Sequence, residues 1–107
     1  MDYKVIEEAG LAKSEAAHIV GVSDVMMWRY VKDGHEPREF YAGRPLRRRM
    51  QVFLAVLRKL VAAGKLPAKD IPFAKRMHPD IAERRGALVS KLKSIVDSKV
   101  VESATNT

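Results

Sequence analysis

Five residues of one short stretch, Asp24, Val25, Trp28, Arg29 and Lys32, bring together a carboxylate, a small apolar group, an aromatic ring, a guanidinium and an ammonium. Successive residues of a helix are turned by about 100°, so between Ser23 and Lys32 these five share one side while Met26, Met27, Tyr30 and Val31 share the other. The second set is apolar and reads as core. The first offers the donors, acceptors and apolar contacts that discriminate base edges in a DNA major groove, which is wide enough to take a helix. Trp28 carries two readings, contact with a base or sugar and packing on a neighbouring segment such as Phe40 or Tyr41.

A second basic group lies in "AGRPLRRRM", where Arg44, Arg47, Arg48 and Arg49 stand at the start of a helical pattern. Cations at that end oppose the helix dipole, so phosphate binding accounts for them better than stability does. "GRP" is also the centre of a minor-groove AT-hook, with the flanking arginines and glycines of that motif incomplete; a solvated basic face is the plain alternative. His18, His35 and His78 lie far apart, with no cysteine in the chain and no acid at metal-ligand spacing. Each reads as a surface or interface histidine. No Gly-rich phosphate loop, nucleophile motif or carboxylate pair stands out, so neither an enzyme with a small-molecule substrate nor a metal or organic cofactor is expected.

The elements that must position these residues are helices. Tyr3 to Ala9 reads as a short first helix closed by Gly10. Ser14 sits where an N-cap belongs, giving a second helix from Glu15 to Val20 that stops at Gly21. Ser23 caps a third, with Asp24 in its first turn and Gly34 near its end. After the loop "GHEPREFYAGR", Pro45 suits the first position of a longer helix closed by Gly64. "KLPAKDIP" reads as a linker, Phe73 to Met77 as a weak turn, and Asp80 to about Val100 as the last helix. Alternation of apolar and polar residues is nearly absent, so strands are not expected.

These patterns predict an all-α fold, a compact helical domain of about five helices. Residues 1–64 would form the DNA-binding part including the fourth helix, 65–100 a C-terminal helical segment for oligomerisation, and 101–107 a flexible tail. Leu46, Met50, Phe53, Leu54, Leu57, Leu60 and Val61 make a stripe that reads as core. Ile81, Leu88, Leu92, Ile95 and Val96 make another, divided between core and subunit interface, with the dimer contact expected through Ile81, Leu88, Leu92 and Ile95.

A chain of 107 residues is the size of one domain. Without cysteine, disulfides and thiolate metal sites are excluded. No apolar run approaches the roughly 20 residues of a membrane helix. "MDYKVIEEAG" is too acidic for a signal peptide, so a cytoplasmic location, in a bacterial host cell or its nucleoid, is expected. The net charge of +7 points to an anionic partner, nucleic acid first. Residues 1–34 hold four bases against six acids, a net of −2, which leaves +9 on residues 35–107. Attraction to a polyanion therefore comes mostly from the second part.

From Lys13 to Tyr30, and loosely as far as Pro37, the chain resembles the helix-turn-helix DNA-binding domain of phage Cro and repressor proteins. Ala17 stands where that motif wants a small residue because its helices cross, and Gly21 where its turn needs a positive φ. Ala16, Val20, Val22, Met27 and Tyr30 match its buried positions, "GVS" is its commonest turn, and "DGHEP" looks like the exit from such domains. Met27 replaces the usual Val or Ile and Tyr30 a frequent Trp, and the loop before the fourth helix is long for the family, so the rest of the chain is not mapped by analogy. The resemblance implies that Lys13 meets a phosphate, assisted by its helix N-terminus, and that Ser23 does so from the third helix. It further implies a sequence-specific transcription regulator, repressor-like, that binds double-stranded DNA at a paired operator as a homodimer. The alternative is an oligomeric nucleoprotein assembly or packaging subunit that uses the same motif for weakly specific DNA or protein binding.

Overall fold

Local chemistry at the helix ends sets most of the architecture. The computed structural model describes residues 1–65 and 77–105. Its elements are α1 (Lys4–Glu8), α2 (Lys13–Val20), α3 (Asp24–Asp33), β1 (Phe40–Tyr41), β2 (Arg44–Pro45), α4 (Leu46–Ala62) and α5 (Pro79–Thr105). Ser23 caps α3 as expected, its Oγ accepting from the Met26 N–H at 3.1 Å. α2 begins earlier than expected. Ala12 takes the extended N-cap position and its N–H donates to Glu15 Oε1 at 2.9 Å, so Ser14 is an exposed residue of the first turn and not the cap. Pro45 likewise precedes α4 as its N-cap instead of opening it. α5 runs on to Thr105, so the segment expected to be a flexible tail begins as helix. The linker reading beyond Lys65 and the weak turn from Phe73 to Arg76 lie outside the described residues.

The antiparallel hairpin of β1 and β2, with Phe40 opposite Pro45 and Tyr41 opposite Arg44, corrects the expectation of no strands. Two residues per strand are too few to show an alternating pattern. Its turn places Ala42 at φ 51 and Gly43 at φ 75, the left-handed pair that a tight hairpin needs, without the Asn-Gly or Asp-Gly that usually announces one.

One hydrophobic cluster joins all five helices. Val5 and Ile6 of α1, Ile19 and Val20 of α2, and Met27 of α3 close on Met50, Phe53 and Leu57 of α4. Val89, Leu92 and Val96 of α5 complete it, with α5 packed on α2 and α4. Leu92, expected in a dimer contact, is 2% exposed inside this core and is not free for a second subunit. Ile81, Leu88 and Ile95 are half-buried, the last two packed against the same core. Among the described residues no helix is long and apolar enough to cross a membrane.

α2 and α3 are joined by three residues. Gly21 takes φ 90, and the N–H groups of Gly21 and Val22 both donate to the Ala17 carbonyl, at 2.8 and 3.1 Å. Ala17 is 1% exposed. Ala17→Leu is therefore expected to lower stability by about 1–3 kcal/mol through overpacking. Gly21→Val should also destabilise, because a branched side chain disfavours that φ although there is space for it. Urea unfolding of both variants checks this; unchanged midpoints would mean that the join tolerates rearrangement.

Tyr3 ties the start of the chain to the exit of α3, donating its hydroxyl to the His35 carbonyl at 2.5 Å. Burial, reinforced by Tyr30 and Glu36, pushes its phenol up from 10.0 to about 12. A raised folded pKa means that the fold favours the neutral phenol. That contribution is complete below pH 10 and lost as pH rises through about 12. Tyr3→Phe should be less stable than wild type by about 1 kcal/mol at pH 8, with the gap closing in alkali. A gap that stays constant from pH 8 to 12 would contradict this.

Candidate nucleic-acid interface

α3 is held from behind and open in front. Met27 is fully buried, and Met26, Tyr30 and Val31 are half-buried on the same side. On the front, Val25 is 60% and Trp28 46% exposed, alongside exposed Asp24, Arg29 and Lys32. All five residues singled out in the sequence therefore share one accessible helix face. Lys32 lies one turn after Trp28 and sets its Nζ 4.5 Å from the ring centroid, a cation–π contact that restrains both side chains. Asp24 sits in the first turn, where the helix dipole favours a carboxylate. Lys13 is exposed at the first residue of α2. Ser23 is exposed as well; its Oγ accepts the capping bond, which leaves the hydroxyl proton to donate.

The arginine cluster divides in two. Arg44 on β2 and Arg48 on α4 are exposed. Arg47 turns back on the preceding loop, its Nε donating to the Pro37 carbonyl at 3.0 Å and lying 4.0 Å from Glu36 Oε2. Arg49 donates to the Ile19 carbonyl from Nε at 3.0 Å and Nη2 at 2.6 Å, and its Nη1 meets Asp97 Oδ1 at 2.6 Å. The last carbonyls of α2 lack helical partners, and a guanidinium suits that negative end. Two of the four arginines therefore have partners within the fold, which leaves Arg44 and Arg48 as the exposed members of the group.

Two features escaped the sequence reading. Arg85 of α5 is 1% exposed and grips Glu15 through Nε–Oε2 at 2.9 Å and Nη2–Oε1 at 2.6 Å, with Nη2 also donating to the Gly10 carbonyl at 2.8 Å. The pair fixes α5 to the start of α2. Its only sequence signal is a charge at the spacing of the Ile81 and Leu88 stripe. The other is the hairpin, with Phe40 60% and Tyr41 43% exposed. It packs on α4, and the Tyr30 phenol of α3 is raised by burial, an effect that the Arg38 guanidinium opposes and Tyr41 of the hairpin adds to. Among the described residues no group of three or more His, Cys, Asp or Glu could hold a metal ion. No family model, curated protein or solved structure matches this chain, so the interface is read from its own geometry.

Proposed function

We propose that this chain is a sequence-specific transcription regulator of helix-turn-helix type, similar to phage Cro and repressor proteins, which binds double-stranded DNA with α3 in the major groove and α2 bracing it. The observation that carries this reading is the front of α3: five exposed side chains of mixed chemistry on a helix anchored through fully buried Met27. Arg29 supplies a fork for guanine, Asp24 an acceptor for a cytosine amino group, and Val25 and Trp28 apolar surface for a thymine methyl. Lys13, Ser23, Arg44 and Arg48 hold phosphates around it, and Lys32 adds charge at the far end of the helix.

One short reading helix covers few base pairs, so a homodimer on paired half-sites, with centres roughly 34 Å apart, belongs to the proposal. With Leu92 in the core, the contact falls to the half-buried edge of Ile81, Leu88 and Ile95. Selection from random duplexes followed by footprinting tests the function. A paired motif should emerge, and Arg29→Ala should relax preference at one position by about 1–3 kcal/mol. Binding without any enriched sequence, together with a large ring-like mass, would instead favour a nucleoprotein assembly role.

A further inference from the structure

Resting on the DNA-binding reading above, we infer that the β1–β2 hairpin is a second DNA-contacting element, which enters the minor groove beside the major groove that α3 occupies. Phe40 and Tyr41 leave two aromatic rings open on adjacent residues of one ribbon. The ribbon is set in positive charge: residues 38–49 hold five arginines and a single acid, and Arg38, Arg44 and Arg48 are exposed. That complement suits a polyanion.

Placement agrees with the charge. A cavity of about 430 Å³ is lined by Gly21 of the α2–α3 join together with Ala42 and Arg44 of the hairpin and Lys93 of α5. The hairpin turn therefore lies across this cavity from Gly21, three residues before α3 begins, and the start of α3 is the end that reaches base edges when such a helix docks. The turn itself is Ala42-Gly43, with almost no side chain, at the left-handed φ values that make it tight. A narrow tip suits a groove about 6 Å wide. Arg44 follows the tip directly and is placed for the phosphates that rim the groove, and Phe40 precedes it with a ring able to lie against a sugar or wedge at a base step.

The test uses the whole chain and a duplex selected by the wild type. Inosine for guanine, or 2,6-diaminopurine for adenine, moves the minor-groove amino group and leaves the major-groove pattern in place. On unmodified duplex, Phe40→Ala/Arg44→Ala should bind about tenfold more weakly than wild type. Swaps at base pairs flanking those that α3 reads should weaken the wild type about tenfold and the variant less than about twofold. Both residues are exposed, so thermal melts of the variant should match wild type. Equal sensitivity of the two proteins to the swaps, or none in either, overturns the proposal. A variant that changes the sedimenting mass of the free protein assigns the ribbon to a contact between copies and also overturns it. Failure of the wild type to select any sequence sinks the reading by α3 itself, whereas a selected sequence insensitive to the swaps sinks the hairpin alone.

Discussion

Arg85→Ala is expected to cost about 3–5 kcal/mol, a large fraction of the stability of a domain this size. The guanidinium is 1% exposed and makes a two-pronged contact with Glu15, whose second task is to accept the Ala12 N–H at the start of α2. Removing the arginine leaves a carboxylate in a poorly solvated place and the Gly10 carbonyl without that donor. The cost lies mainly in the stranded charge and less in the net worth of the pair. Arg85→Met combined with Glu15→Gln should therefore recover part of the loss. Urea unfolding of wild type, the single variant and the double variant gives the comparison. A single variant within about 1 kcal/mol of wild type would show that α5 is held by its apolar stripe alone.

Arg85 also marks where the sequence stopped being legible. It stands four residues after Ile81 and three before Leu88, so the apolar stripe of α5 contains a charge, and a stripe with a charge in it reads as an edge or an interface. Its partner is 70 residues away, on a helix that the sequence reads as capped by Ser14 and opening at Glu15 itself. Helix identity, by contrast, was readable from local chemistry. Ser23 and Asp24 open α3, and Gly21 and Gly34 end α2 and α3, because caps and left-handed stops depend on neighbouring residues only. The front and back of α3 followed from its period once Met27 was assigned to the core. Long-range pairing carries no such local signal. Arg47, Arg48 and Arg49 are consecutive and chemically identical, yet one meets a loop carbonyl, one faces solvent and one bridges α2 to α5. Only their 100° steps around α4 separate them, and the neighbours on each side come from distant sequence. The hairpin failed for the opposite reason: its strands are too short for any period, and Ala42 occupies a turn position where Asn or Asp would have been the cue.

Loss of Arg44 and Arg48 together should weaken binding on every DNA sequence, by roughly 10–100-fold at low salt, and flatten the dependence of log K on log salt by about 2. A phosphate contact releases counterions and carries no sequence information, so operator and random DNA should suffer alike. Asp24→Ala should behave in the opposite way. Its carboxylate is exposed at the N-terminal end of α3, repels phosphate, and accepts well only from a base such as cytosine. Removing it should tighten binding to random DNA several-fold and erase about 1–3 kcal/mol of preference at one base pair. If the proposed DNA-binding function holds, this difference would account for the net charge of −2 on residues 1–34 beside +9 on the remainder. On the proposed reading, the Asp24 carboxylate, at the start of a helix whose charges otherwise sum to +1, would penalise loose encounters, and the exposed arginines beyond it would supply the hold on the backbone. Arg47→Ala separates the roles further: with its guanidinium on the Pro37 carbonyl, it should lower stability by about 1 kcal/mol and leave the salt slope nearly unchanged. Titrations of the three variants on both DNAs across a salt series decide the matter. Equal changes for Asp24→Ala and the Arg44/Arg48 variant on both DNAs would show that recognition and attraction are not divided between these two parts of the surface.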